Sequence, residues 1–133
     1  MSTRRLVDTS AWIELFRPTG DPVVRRAVED ATREGTAVLC DMVLLELWAG
    51  AGGAHERGLI ARLAADVEVL PIDAEVWKAA HALARICRAA GVTAPANDLL
   101  IAACADHHGV EVLERDAHVA RIRAAGKKAA GRT

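Results

Sequence analysis

Four short apolar runs separate segments with helical periodicity, and this alternation restricts the possible folds more than any other feature of the chain. The runs occupy residues 6–7, 37–40, 67–70 and 110–113. Short runs of this kind, bounded by glycine or proline, are typical of buried strands. Because strands that alternate with helices are joined by crossover connections, they form a mainly parallel sheet with helices on both faces. The sequence therefore predicts an α/β fold, a three-layer α/β/α sandwich around a short, mainly parallel central sheet of four to five strands.

Polar residues mark the expected helix starts. Asp21 before Pro22 is typical of a helix N-terminus, and Asp41 and Asp73 stand in the same position before later helical segments. A last helix is predicted over residues 116–125. The chain has 133 residues and no evident linker, so one domain is expected over residues 1–126, followed by a flexible basic tail at 127–133.

Composition narrows the class of protein. Apolar residues make up 52% and charged residues 26%, which indicates a globular domain, and a net charge of −1 gives no general argument for a nucleic-acid partner. No apolar run approaches the roughly 20 residues of a membrane span, so no membrane association is expected. Asp8 and Glu14 interrupt the apolar segment that a signal peptide needs. Cys40, Cys87 and Cys104 form no paired motif, which predicts buried thiols in a reducing compartment, the cytoplasm.

Four carboxylates stand in apolar surroundings and need an explanation. Asp8 follows the first strand, Glu46 interrupts an apolar helix, Asp98 precedes another, and Asp116 follows the fourth strand. Local roles stay open for three of them, because Asp8 or Asp98 can cap the next helix, and Asp116 can cap the last one or pair with Arg115. Glu46 lies in mid-helix with no charged residue four positions away, so neither role is open to it.

A shared divalent cation accounts for the four acids together. A buried carboxylate costs free energy, and several cost more unless a cation neutralises them. Oxygen ligands from separate strand ends and helix starts suit Mg²⁺ or Mn²⁺ rather than zinc. One or two such ions activate water and stabilise charge during phosphodiester hydrolysis. The residues therefore predict metal-dependent chemistry on a phosphodiester.

Four segments resemble, in order and spacing, the acidic motifs of PIN-domain ribonucleases, in particular the VapC-type toxins of bacterial toxin–antitoxin pairs. They are VDTSAWIELF, VLLELWAG, ANDLLIAACA and LERDAHVARI. The resemblance extends over residues 6–122, and VDTSAW and ANDLLIAACA are its most specific parts. It implies a PIN-like fold and an endoribonuclease, a hydrolase that uses Mg²⁺ or, as a substitute, Mn²⁺. The implied substrates are structured RNAs, often transfer RNA.

The resemblance also assigns roles to the acids. It implies Asp8 and Asp98 as the main metal ligands, with Glu46 and Asp116 completing the site directly or through water. All four would then be catalytic residues.

Three polar residues beside these acids have two interpretations. Thr9, Ser10 and Asn97 would position water or substrate near the metal, or they would simply cap helices. The family further implies a homodimer, and inhibition by a small cognate antitoxin of the VapB type in a heterotetramer or larger assembly.

The chain departs from the family pattern near its C-terminus. Val119 stands where the last motif commonly carries an aromatic residue. The residues after Ile122 contain no apolar run for the usual closing strand, which would leave the sheet one strand short.

Two other functions stay open from the residues. An aspartyl phosphatase would use Asp8 as its nucleophile, but that chemistry needs a second acid where Ser10 stands and a lysine near the phosphate, and no lysine precedes Lys78. The other alternative is a non-catalytic PIN-fold module that binds a protein. The presence of all four acids argues against it.

Overall fold

Four short parallel strands form the central sheet of this computed structural model, which describes residues 3–131. The strands are β1 (Arg5–Val7), β2 (Ala37–Cys40), β3 (Glu68–Leu70) and β4 (Glu111–Leu113). The helices are α1 (Thr9–Phe16), α2 (Pro22–Glu34), α3 (Asp41–Gly50), α4 (Ala54–Asp66), α5 (Ala74–Ala90), α6 (Ala96–His108) and α7 (His118–Ala130). The strand order is β3-β2-β1-β4, and every neighbouring pair is parallel. The predicted α/β/α sandwich is confirmed, and its sheet has four strands, within the four to five predicted.

The inner and outer strands differ in burial. All four residues of β2 are buried, and Leu6 and Val7 of β1 are fully buried beside it. The edge strands β3 and β4 have the same sequence, Glu-Val-Leu, with an exposed glutamate and a buried leucine. Because a charged side chain on an edge strand discourages pairing with another chain, the two glutamates protect the sheet edges.

The strand register brings two chain segments to one edge of the sheet. Leu6 lies opposite Val38 on one side and Val112 on the other. Past the end of β1, the backbone N–H of Asp8 still donates to the carbonyl of Leu113 at 2.8 Å. The residue that follows β1 and the loop that follows β4 therefore lie side by side, at the edge where ligands bind in open parallel sheets.

Helix α6 forms the most buried part of the helical layers. Six consecutive residues of α6, from Leu100 to Ala105, are buried, and the helix packs against α3, α5 and α7. Near the N-terminus, α1 packs against α2 and α3 and carries the fully buried Trp12. This packing places the first turn of α6 and the first turn of α1 near the same end of the sheet.

The expected helix starts are confirmed at two places and wrong at one. Asp21 accepts from two backbone N–H groups of α2 at 2.9 and 3.0 Å, and Asp73 accepts from the N–H of Val76 at 3.1 Å. Asp41 does not cap α3. It is the first residue of that helix, and Cys40 occupies the cap position without a side-chain bond. The reason is that β2 runs into α3 with no intervening loop, so the last strand residue falls at the cap.

Helix α7 extends into the segment that was predicted as a tail. Helix α7 starts two residues later than predicted and continues through residues 127–130, which were expected to be part of a flexible tail. Lysine and alanine favour helix, so the segment extends α7. Gly126 allows close packing on α5, because a Cβ there would lie 2.8 Å from Leu83 Cδ2. Residues 132–133 of the predicted tail lie outside the described residues.

The three cysteines are free and buried, as predicted. Val119, at the position where the family commonly has an aromatic residue, is fully buried as well. None of the helices within residues 3–131 combines the length and apolar character that crossing a bilayer requires.

Candidate active site

Asp8 lies at the junction of β1 and α1 and connects three segments. Its side chain is 8% exposed, and its Oδ2 atom accepts from the backbone N–H of Ser10 at 3.1 Å and from the Ser10 hydroxyl at 2.7 Å. The predicted capping role is therefore confirmed. The Ser10 hydroxyl in turn accepts from the backbone N–H of Arg115 at 3.0 Å. Ser10 thus holds both the Asp8 carboxylate and the loop after β4.

Glu46 on α3 is held by donors from two other helices. The Thr9 hydroxyl donates to Oε1 at 2.9 Å, and the Asn97 amide donates to Oε2 at 2.7 Å. Hydrogen bonds to an ionised group are stronger than neutral ones, and two of them fix the orientation of the carboxylate. The structure therefore explains this mid-helix acid, and it gives Thr9 and Asn97 the same task of orienting Glu46.

Asp98 lies in the first turn of α6 without capping that helix. Pro95 occupies the cap position, so the capping alternative is wrong. Burial raises the pKa of the Asp98 carboxyl, and the negative charges of Asp8 and Glu46 raise it further, while His118 acts in the opposite direction. Asp98 is therefore close enough to both Asp8 and Glu46 to be repelled by them, although the three acids come from different elements.

Asp116 has a different environment from these three acids. Its carboxylate lies 3.3 Å from the guanidinium of Arg115, and its side chain is 44% exposed. The predicted pairing with Arg115 is confirmed, and the alternative that Asp116 caps α7 is wrong. A surface ion pair of this kind contributes little stability, so the side chain can leave it at small cost.

Glu114 takes the capping role, which was not predicted from the sequence. Its two carboxylate oxygens accept from the backbone N–H groups of Val119 and Ala120, both at 3.0 Å. Burial raises the pKa of Glu114 against the effect of these two donors, and Asp8 and Asp98 contribute in the same direction as burial. A signal was available, because Glu114 directly follows a strand just as Asp8 does. Glu114 brings a further carboxylate to the same end of the sheet.

The donor chemistry of this site suits magnesium or manganese. Within residues 3–131, no three acidic, histidine or cysteine side chains are grouped closely enough to hold an ion by themselves. Magnesium, however, keeps several waters and usually takes only one or two carboxylates from the protein. The carboxylates of Asp8 and Glu46 repel that of Asp98, and a cation among the three would relieve this repulsion. The residues therefore fit a water-rich divalent ion better than a closed protein site.

Comparison with known proteins decides the family. A family model described as the PIN domain matches residues 5–125. The chain belongs to the PIN-domain family. Over 126 residues it is 37% identical to VapC ribonuclease Mb1587 of Mycobacterium bovis and to ribonuclease VapC11 of Mycobacterium tuberculosis. Each match covers 88% of this chain and 92% of the relative.

Solved structures agree with the PIN fold. FitAcB from Neisseria gonorrhoeae superposes with a TM-score of 0.71 at 24% identity, covering 89% of this chain and 91% of the other. VapBC2 from Rickettsia felis, bound to a DNA fragment from its promoter, superposes with a TM-score of 0.72 at 16% identity, covering 86% and 89%. The resemblance to VapC-type PIN domains that four short segments indicated is thus confirmed over nearly the whole chain.

In this PIN domain, the predicted site residues fall into two groups. Asp8, Glu46 and Asp98 converge, and the three polar residues next to them orient two of these carboxylates. Asp116 instead forms a surface ion pair with Arg115. The geometry supports a charged centre formed by β1, α3 and α6, with the loop after β4 at its rim.

Proposed function

We propose that this PIN domain is a divalent-metal-dependent endoribonuclease of the VapC type, the toxin of a toxin–antitoxin pair. The relatives that are 37% identical are named as VapC ribonucleases. The observation that carries the proposal is the convergence of Asp8, Glu46 and Asp98 from three elements, with Thr9 and Asn97 holding Glu46. Structured RNA is the proposed substrate, and transfer RNA is the first to test.

The proposed roles follow from the contacts. Asp8 and Asp98 hold the ion, since Ser10 occupies only one oxygen of Asp8 and burial makes the charge of Asp98 costly without a counter-ion. A bound Mg²⁺ or Mn²⁺ supplies Lewis-acid neutralisation of charge at the phosphodiester. Glu46, fixed by two donors, keeps its carboxylate in one orientation, so that it can accept a proton from the attacking water.

Asp116 is the fourth acid of the proposal. Because its side chain is exposed and its pairing with Arg115 is weak, it can turn toward the site when a cation and a phosphodiester bind. Arg115 then becomes available to an RNA phosphate, since its guanidinium loses its carboxylate partner.

Two kinds of partner belong to the proposal. Leu45 is 61% exposed and Trp48 is 43% exposed one turn apart on α3, and exposed apolar patches of this kind mark interaction surfaces. We propose that such surfaces serve a homodimer and a small VapB-type antitoxin, in a heterotetramer or larger assembly. The three free, buried cysteines fit a reducing compartment, and we propose the cytoplasm.

An RNA cleavage assay with matched variants tests the function. The full chain is incubated with bulk transfer RNA and Mg²⁺ or Mn²⁺, with EDTA as the metal-free control. Asp8→Asn removes the charge at the centre but keeps a side chain that caps α1. Asp21→Asn is its control, because Asp21 is also a helix-capping aspartate and accepts from two backbone N–H groups at the start of α2.

The expected result is cleavage that EDTA and Asp8→Asn abolish and that Asp21→Asn leaves intact. Absence of cleavage by the wild-type chain, or equal cleavage by the wild-type and Asp8→Asn chains, contradicts the proposal. Release of phosphate from a simple phosphate ester would favour the aspartyl phosphatase. Tight binding to a small protein without any cleavage would favour the non-catalytic module.

A further inference from the structure

A cavity of about 220 Å³ opens beside the acidic centre. Helices α1, α3 and α4 form its walls. The apolar part of the lining comes from Ile13, Phe16 and Leu47, and the polar part includes Arg17, Glu46 and Glu56. Pockets for drug-sized ligands usually measure about 300–1,000 Å³, so this cavity suits one planar ring system rather than a larger molecule.

The cavity shares a wall with the proposed catalytic centre. Glu46 lines the cavity, and its carboxylate accepts from Thr9 and Asn97 and repels that of Asp98. Because Glu46 belongs to both, the cavity adjoins the place where the scissile phosphodiester is proposed to lie, and a nucleotide beside that phosphodiester is a ligand that it could receive. Sequence-specific RNA recognition generally targets unpaired bases of this kind, which can leave the stack and enter a protein pocket.

Glu56 is the residue that sets the chemistry of the cavity. It is half-buried in the first turn of α4, and within residues 3–131 no hydrogen-bond donor or cation pairs with its carboxylate. An acid in the first helical turn is also favoured by the helix dipole. The dipole explains an acid at this place, but it does not require the carboxylate to line a cavity.

An ionised carboxylate only accepts hydrogen bonds, so the ligand that it recognises has to present N–H groups. Two carboxylates in one cavity, Glu46 and Glu56, also repel a phosphate. Among the RNA bases, guanine alone has two adjacent N–H donors on its Watson–Crick edge, and these match the two oxygens of a carboxylate. The three apolar side chains provide contact surface for the ring.

Arg17 completes the arrangement at the rim. Its side chain is 61% exposed, and its guanidinium lies 3.7 Å from the buried Glu14. An exposed guanidinium there can pair with the phosphate that follows the bound base, since arginine binds phosphate oxygens through paired N–H groups.

We infer that this cavity binds an unpaired guanine next to the scissile phosphodiester, and that Glu56 accepts the hydrogen bonds of its Watson–Crick edge. The inference rests on the proposed ribonuclease function and names the base that would select the cleavage position.

Cleavage of hairpin RNAs with a randomised loop tests the inference. The 5′ ends of the products are sequenced for the wild-type chain and for Glu56→Gln. Glu75→Gln is the matched control, because Glu75 also lies in the first turn of a helix but is exposed and pairs with Lys78. We expect the wild-type chain and Glu75→Gln to select guanine at one position beside the cut. Glu56→Gln should reduce that selection about tenfold, the usual effect of one lost bidentate base contact.

A binding measurement keeps the test independent of cleavage and of the Glu56 variant. The Asp8→Asn chain is titrated with the same hairpin carrying guanine or inosine at every loop guanine, and fluorescence anisotropy reports the affinity. Inosine lacks the N2 amino group, so we expect about tenfold weaker binding.

The outcomes separate the two proposals. If the wild-type chain shows no metal-dependent cleavage, the proposed function fails. If it cleaves but Glu56→Gln keeps the same base selection, and inosine binds as well as guanine, the inference alone fails. If Glu56→Gln weakens binding of the cognate antitoxin while RNA selection is unchanged, the cavity serves a protein partner and the inference is overturned.

Discussion

The two sides of the acidic centre differ in how their carboxylates are held. On the side formed by α1, α3 and α6, Asp8 and Glu46 are fixed by donors from Ser10, Thr9 and Asn97. On the side of the loop between β4 and α7, Asp116 is exposed and pairs with its neighbour Arg115. The first side is therefore rigid before any ligand binds, whereas the second keeps a movable acid at the rim.

This difference suggests a division of labour. Carboxylates that are already oriented can hold an ion and direct water without reorganisation. Such preorganisation is the usual source of electrostatic catalysis. A movable acid at the rim costs little to displace, so it can respond to substrate. Glu114 keeps the loop in place by capping α7 with both of its oxygens.

The largest effect is expected from the rigid side. Asp8→Asn should reduce RNA cleavage by a factor on the order of 100 or more, because about 3 kcal/mol of charge stabilisation is lost at the reacting phosphate. Its Tm should stay within about 2 °C of the wild-type value, since asparagine caps helices as well as aspartate does. Single-turnover cleavage and thermal melting measure the two quantities. If unfolding of the variant at the assay temperature accounts for the whole loss of cleavage, Asp8 acts mainly on folding.

A smaller effect is expected when the donors to Glu46 are removed. Asn97→Ala and Thr9→Val should each lower kcat about tenfold while KM for RNA changes little, because a charge-assisted hydrogen bond that orients the carboxylate is lost. Thr93→Val, at an exposed threonine in the loop before α6, is the control. A rise in KM with unchanged kcat would instead indicate that these residues bind RNA directly.

On the side of the loop between β4 and α7, stability is expected to distinguish the two acids. Glu114→Ala should lower the stability by about 1 kcal/mol and the Tm by about 4 °C, because two backbone N–H groups of α7 lose their acceptor, and this loss outweighs the relief of burying a charge near Asp8 and Asp98. Asp116→Asn should change the stability by less than about 0.5 kcal/mol, as expected for an exposed pair. Urea and thermal unfolding of both variants give the comparison. Equal losses in the two variants would contradict the assignment of the cap to Glu114.

The smallest expected effect has the opposite sign. In EDTA, Asp98→Asn should raise the Tm by about 2 °C, because it removes a charge that burial and the carboxylates of Asp8 and Glu46 disfavour. Added Mg²⁺ should then raise the Tm of the wild-type chain more than that of the variant, since an ion that binds only the folded state stabilises it. A lower Tm of Asp98→Asn in EDTA would mean that repulsion is not the dominant interaction at this residue.

Much of the fold and half of the site could be predicted from local patterns. The alternation of short apolar runs with helical segments predicted the parallel sheet, and Asp21 and Asp73 predicted two helix starts that the structure has. The prediction for Asp41 was wrong because β2 and α3 share a boundary without a loop, which only the three-dimensional chain path reveals.

The sequence by itself determined where each acid lies along the chain and which element it follows, because strand ends and helix starts depend on neighbouring residues. Tertiary structure decided which acids meet and which residues hold them. Glu46 receives its hydrogen bonds from residues 37 and 51 positions away, and no local pattern encodes such pairs. The exchange of roles between Glu114 and Asp116 has the same cause, since the packing of α7 against α5 and α6 selects the carboxylate that reaches its free N–H groups.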